Sequence, residues 1–287
     1  MPKKTINLLL RIALFTLILC LGTGAALVIG ETTGLALADL SNAPVETLVK
    51  APQPGTFYAA LAGNMRGVYR SDDYGRSWQK IGNGPAAAIQ TLAIHPVNKQ
   101  LIYASTLADN SGSRLWSSPD GGKSWNELGL NLPANPAGQP PTISTLTIAP
   151  DNPEVLLVGT EGAGLYRLRP ANGKYELVGG ETMAQLYVKE VVAAAYHPLY
   201  AISTEGLFLV DGNTGYKIEG LPDAAVSLAI DPADSQHLYL GTAGYGLYHS
   251  EDGGRNWQAL NAGLGWQPGV IMRVPTVAVD QDNPDHL

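Results

Sequence analysis

Ser118-Pro119-Asp120-Gly121-Gly122-Lys123-Ser124-Trp125 is one of three copies of an eight-residue pattern in this chain. The others are Ser71-Asp72-Asp73-Tyr74-Gly75-Arg76-Ser77-Trp78 and Ser250-Glu251-Asp252-Gly253-Gly254-Arg255-Asn256-Trp257. All three read Ser-x-Asp-x-Gly-x-x-Trp, and each follows a short apolar segment ending in Val68-Tyr69, Leu115-Trp116 or Leu247-Tyr248. Asp followed closely by Gly between two apolar runs predicts a hairpin. Asp and Ser side chains bond to backbone in tight turns, and Gly at the fifth position takes φ > 0 without a Cβ clash. The Trp opens the next strand and buries its ring as an anchor when its N–H finds a partner. A structural role is therefore assigned to Ser71, Asp73, Gly75 and Trp78, to Ser118, Asp120, Gly122 and Trp125, and to Ser250, Asp252, Gly254 and Trp257. A carboxylate that recurs once per repeat closes a turn, whereas a catalytic centre needs one convergent set. Calcium loops need further acidic ligands and a closing Glu that these segments lack, so neither a metal nor a cofactor is expected.

The copies lie on a period, which is the signature of a repeat architecture. Ser71 to Ser118 is 47 residues, and Ser118 to Ser250 is 132, three periods of 44. Two degenerate copies are expected between them. Gly164-Leu165-Tyr166-Arg167 precedes the first, with Tyr175 in the Trp place; Gly206-Leu207-Phe208-Leu209 precedes the second, with Asp211-Gly212-Asn213 and then Tyr216. Each unit begins with an apolar run: Thr91–Ile94, Thr145–Ile148, Val191–Ala194 or Ser227–Ile230. A Pro turn, a second strand, the aromatic pair and the strand after the Trp or Tyr follow. Four antiparallel strands per 40–50 residues predict an all-β fold, a β-propeller of four-stranded blades. Residues 45–81 make the first of five recognisable blades. A sixth is begun at Val274–Asp280 and stops at Leu287. The propeller segment, 39–287, therefore reads as truncated at its C-terminus, as an incomplete ring, or as one whose last strand completes a sheet with the N-terminal segment.

The octapeptide resembles the Asp-box, or BNR repeat, found in sialidases, sortilin-type Vps10 propellers, xyloglucan-cleaving glycosidases and Ycf48-like photosystem assembly factors. The match rests on Ser, Asp, Gly and Trp in each copy. The resemblance implies a β-propeller with each box on the hairpin joining the two outer strands of a blade. It implies no activity, because enzymes and non-enzymes share the box.

Composition agrees with an all-β chain: 33 Gly, 20 Pro and 15% charged residues. Cys20 is the single cysteine, so no intrachain disulfide forms. Residues 1–38 read as a targeting segment, with one N-terminal hydrophobic helix. Lys3, Lys4 and Arg11 precede an uncharged run of 19 residues from Ile12 to Gly30, long enough to span a bilayer. Ala36-Leu37-Ala38 offers a small-x-small cleavage site. The chain is expected to be exported, either anchored by residues 12–30 or secreted after cleavage near Ala38. Without residues 1–38, 15 basic residues face 24 acidic ones, a net charge of −9 against −7 for the whole chain. Such a surface repels phosphate backbones, so no nucleic-acid partner is expected.

Four residues outside the boxes are candidates for ligand or partner binding. Arg273-Val274-Pro275 is similar to the Arg-Ile-Pro motif of sialidase propellers, whose Arg grips a carboxylate. Glycosidase chemistry needs two carboxylates about 5–10 Å apart; Glu161, Glu181, Glu190 and Glu205 are expected in loops on the face opposite the boxes, and Glu161 and Glu205 are retained as candidates. Trp266 lies in a loop with no counterpart in the other repeats, where an aromatic can stack on a sugar or anchor a protein. Loops 106–113 and 130–142 are longer than their counterparts, and propeller function sits in such loops. His95 and His197 precede Pro where other repeats have Ala149 and Asp231, so that slot does not need imidazole. The expected function is a non-catalytic protein-interaction or assembly scaffold, nearest to the Ycf48-like role. The alternative is a glycan-binding propeller or a glycoside hydrolase of sialidase or xyloglucanase type. The partner is accordingly a protein or a glycan.

Overall fold

The computed structural model describes residues 44–109, 111–129, 132–193, 199–265 and 270–279. The N-terminal apolar segment, Cys20, His197 and Trp266 lie outside the described residues. Among the described residues no helix is long and apolar enough to cross a membrane.

Twenty strands form five sheets, each of four consecutive antiparallel strands. Blade 1 is β1 (Val45–Lys50), β2 (Phe57–Leu61), β3 (Gly67–Ser71) and β4 (Gln79–Gly82). Blade 2 is β5 (Ile89–Ile94), β6 (Ile102–Thr106), β7 (Leu115–Ser118) and β8 (Asn126–Leu128). Blade 3 is β9 (Ile143–Ile148), β10 (Leu156–Thr160), β11 (Leu165–Arg169) and β12 (Lys174–Val178). A single helical turn, α1 (Gly180–Met183), leads to blade 4: β13 (Val188–Ala193), β14 (Leu199–Ser203), β15 (Gly206–Asp211) and β16 (Thr214–Lys217). Blade 5 is β17 (Ala225–Ile230), β18 (Leu238–Thr242), β19 (Leu247–Ser250) and β20 (Gln258–Ala259). Sequential four-stranded meanders repeated in this way are the blades of a β-propeller.

The chain divides into two compact units. The first, Met1–Leu107 with Arg114–Gly129, holds blades 1 and 2. Its core joins Tyr58, Ala60 and Val68 to Ile89, Leu92, Ile102 and Ala104. The second, Ala108–Ser113 with Leu130–Leu287, holds blades 3 to 5. One of its cores packs Val155, Leu157 and Leu165 of blade 3 against Val188, Ala201 and Phe208 of blade 4. Another packs Tyr200, Ile202 and Leu207 against Leu228, Leu238 and Leu240. The second strands β6 and β10 are buried along their whole length. Each buried Leu or Ile adds about 1.5–3 kcal/mol.

Every first strand carries a β-bulge after its first residue. The bulge creates one equivalent slot per blade, occupied by Thr47, Thr91, Thr145, Glu190 and Ser227. Glu190 therefore stands where the other blades have a small hydroxyl, and it lies in a strand rather than in the loop expected for it. Glu181 lies in α1, not in a loop. The apolar run of blade 4 starts at Val191, one residue after the slot that Thr91, Thr145 and Ser227 fill, because the residue in that slot is charged.

Blade 4 corrects a second expectation. Leu209 opposes Tyr216 as His249 opposes Gln258, so Gly215, not Tyr216, occupies the Trp slot. Tyr216 is 54% exposed. A Cβ on Gly215 would collide with the Met183 side chain, which fills that space from α1. In blade 3, Tyr175 does occupy the slot and meets Tyr166 edge to face.

The expected sixth first strand is not formed over 270–279. The segment is tied to blade 5 by a bridge between Tyr245 and Met272, by Met272 N–H to Gly244 O (2.7 Å) and by Val274 N–H to Thr242 O (3.0 Å). A strand needs a ladder along its length, and Pro275 has no N–H to give to one. Among the described residues there are five blades.

Candidate functional site

The three boxes are closed hydrogen-bond cages of one design. Ser118 Oγ donates to Asp120 Oδ1 (2.9 Å) and accepts the Gly122 N–H (2.7 Å). Asp120 Oδ1 also accepts the Ser124 N–H (2.9 Å), and Oδ2 accepts the Ser124 Oγ–H (2.6 Å). Ser71, Asp73, Gly75 and Ser77 repeat this set at 2.6–2.9 Å. Ser250, Asp252, Gly254 and Asn256 do so at 2.6–2.9 Å, with Asn256 Nδ2 in place of the hydroxyl. Ser77, Ser124 and Asn256 thus complete each cage. Sequence reading left the seventh place free, although all three copies hold a short polar residue there.

The fifth-position glycines adopt left-handed φ of 80°, 98° and 88° at Gly75, Gly122 and Gly254. The fourth position does the same with Gly121, Gly253 and, in the first box, Tyr74 at φ 62°. Among the described residues Tyr74 is the one non-glycine with positive φ. Trp78 and Trp125 each donate the indole N–H to the Gly carbonyl of their own box, at 3.1 and 3.0 Å. Trp257 packs into the apolar cluster of blade 5 without that bond.

These cages fix the charge of their carboxylates. Hydrogen bonds from the Ser124 hydroxyl and N–H pull Asp120 down to about 2. Those from the Asn256 side chain and N–H pull Asp252 to about 2 as well. At Asp73 burial works the other way, but bonds from Ser77 and Ser71 prevail and lower it. The bonds that hold these carboxylates ionised come from their own loops.

The other candidates lie in the second unit. Glu161 stands in the β10–β11 hairpin, with its carboxylate near the Tyr187 hydroxyl. Burial, then the nearby Glu161 carboxylate, raise that phenol above its usual range. Glu205 lies in the β14–β15 hairpin, on the rim of a cleft of about 280 Å3 between blades 4 and 5. Lys189, Lys217, Glu219 and Asp223 line the same cleft. Two amines and three carboxylates thus share one depression, and among the described residues no aromatic ring lines it. Sequence spacing does not bring these five together; the antiparallel meander does. Arg273 is exposed, next to the bridged Met272. His95 is buried, and its Nδ1 accepts the N–H groups of Val97 and Asn98 at 3.2 and 2.9 Å. Asp231 Oδ1 accepts the Ala233 N–H in the corresponding turn of blade 5. Among the described residues no group of three His, Cys, Asp or Glu side chains is placed to hold a metal.

Cages of this kind on four-stranded blades define an Asp-box β-propeller. The family model for sortilin, neurotensin receptor 3 (Sortilin-Vps10) matches residues 66–170. A xyloglucanase from Paenibacillus sp is 24% identical over 245 residues, covering 76% of this chain and 23% of that protein. An ancestral GH74 enzyme superposes with a TM-score of 0.63 at 21% identity, over 91% of this chain and 35% of the other. Ycf48 bound to a peptide superposes with a TM-score of 0.55 at 16% identity, over 79% and 70%. The chain spans about a quarter of the length of the curated relative it matches. Boxes, blades and matches together assign it to the Asp-box (BNR) β-propeller superfamily.

Proposed function

We propose that this chain is an exported, non-catalytic propeller that acts as a protein-interaction or assembly scaffold. The cleft of Lys189, Glu205, Lys217, Glu219 and Asp223 carries the reading. Alternating amines and carboxylates suit a partner surface that offers both charges, and such complementarity sets specificity and encounter rate. A sugar ring is gripped through an aromatic face, which the described lining lacks. The carboxyl that is pushed up to about 7, as a glycosidase acid would need, is Glu190; it faces the Leu228 backbone rather than lining the cleft. Similarity to Ycf48 bound to a peptide supports a protein partner, and the basic flank and apolar run of residues 1–38 support export.

A second reading, a carbohydrate-active hydrolase or glycan-binding propeller, is supported by the three carboxylates that share the cleft and by similarity to a xyloglucanase. Turnover assays on sialyl and β-glucan substrates separate the two. The scaffold reading expects no product and expects the charge swap Lys189→Glu with Glu205→Lys to abolish crosslinking to a purified partner. Product formation that disappears in Glu205→Gln would establish the hydrolase instead.

A further inference from the structure

Blade 5 carries a pair of imidazoles that no other blade repeats. His237 immediately precedes β18, and His249 lies in β19 opposite Tyr239. His237 Nδ1 and His249 Nε2 face each other at 3.2 Å. The remaining nitrogens face carboxylates: His237 Nε2 lies 3.8 Å from Asp234 Oδ2, and His249 Nδ1 lies 3.9 Å from Glu251 Oε1. Tyr239 stacks flat on His249, with ring centroids 4.7 Å apart, and fixes its plane. Register places Arg70, Ser117, Arg167 and Leu209 at the position of His249, and Thr56, Leu101 and Val155 at that of His237. Where the position is cationic in other blades it is satisfied by a simple ion pair, Arg70 with Asp72 and Arg167 with Asp151. Blade 5 has departed from that arrangement at both places.

Each outer carboxylate, through its charge at 3.8 or 3.9 Å, favours a proton on the ring nitrogen nearest it. With both outer nitrogens protonated the two inner lone pairs face one another and a cation can bridge them; in the other tautomers one inner N–H donates to the opposite ring. A metal about 2.1 Å from both would subtend an angle of about 100°, close to tetrahedral. A carboxylate behind the far nitrogen is the usual support of a metal-bound imidazole, because it fixes the tautomer and raises ligand basicity. We propose that His237 and His249 chelate one divalent transition-metal ion of the zinc class, with Asp234 and Glu251 as positioning residues and water in the remaining coordination places. With two protein donors the site is open, so its affinity falls in the micromolar range rather than that of a four-ligand structural zinc.

The test is calorimetric titration of the full chain with zinc chloride at neutral pH, with magnesium as the hard-cation control. The expected result is one zinc per chain and no magnesium, with affinity reduced at least tenfold in either His237→Gln or His249→Gln. A readout independent of the variants is the nitrogen spectrum of the histidine rings in the unaltered protein. Zinc should move His237 Nδ1 and His249 Nε2 together. Failure to bind zinc, unchanged affinity in both variants, or zinc-dependent shifts confined to other histidines would each overturn the proposal. A pair that titrates with acid but ignores zinc is a proton-sharing pair only, and that too would overturn it.

Discussion

The carboxyl of Glu190, in the first strand of blade 4, faces the backbone N–H of Leu228 in the first strand of blade 5. Burial pushes its pKa up from 4.5 to about 7, and the Leu228 N–H only partly offsets the rise. Because the folded value is the higher one, the folded chain keeps this proton at pH values where the unfolded chain has released it. The associated stability is complete below the unfolded value and is lost as pH rises through about 7. Glu190→Gln keeps the shape without the charge. It should flatten the stability profile between pH of about 5 and 8, and be the more stable protein at the upper end by about 1–3 kcal/mol. Urea unfolding at the two ends measures this, and equal slopes for both proteins would contradict it.

The box carboxylates titrate with the opposite sign. Asp120 and Asp252 are both depressed to about 2 by bonds that only the folded loops supply. Their contribution is present above the unfolded carboxylate range and disappears as pH falls through about 2. Asp120→Asn and Asp252→Asn should therefore lose part of the acid limb of the stability curve, measured by thermal melts across pH of about 2–5. A variant with an unchanged acid limb would show that the cages do not hold the fold.

Ser118 and Ser250 are the buried hinges of those cages. Removing either hydroxyl strands the Gly122 or Gly254 N–H inside the protein and frees one carboxylate oxygen. Ser118→Ala and Ser250→Ala should each cost about 1–3 kcal/mol, the range for an unsatisfied buried group. Chemical denaturation gives the number. Binding at the charged cleft of blades 4 and 5 should survive in whatever fraction stays folded.

The boxes were legible because every group in a cage lies within eight residues, so chemistry and spacing are read together. The blades were legible because apolar alternation and the recurrent turns are also local. Glu190 was missed as a strand residue because a charge in that slot breaks the apolar run, which in blade 4 begins one residue later at Val191. The pairing of His237 with His249, and of Lys189 with Glu205 and Lys217, arises from strand register, and no single segment contains both members. His249 stands at the register position of Arg70 and Arg167, so its place in the repeat gives no sign of the second imidazole beside it. The hidden half of the candidate sites is thus the half that depends on which strand lies beside which.

Met183 gives the most direct test of how blade 4 manages without a box tryptophan. It is fully buried, and its side chain lies where a Cβ on Gly215 or Gly179 would stand. The helical turn α1 delivers it from outside the blade, so the anchor is borrowed from a segment more than thirty residues before the slot it fills. Met183→Ala should open a cavity that the surrounding β16 backbone cannot close, at a cost of about 2–5 kcal/mol. Gly215→Ala should destabilise as well, because its methyl group collides with the thioether. The two changes share one space, so their double variant should be less destabilised than the sum of the singles. Denaturant midpoints of the four proteins settle it: strict additivity would mean that Met183 does not occupy the missing indole's place.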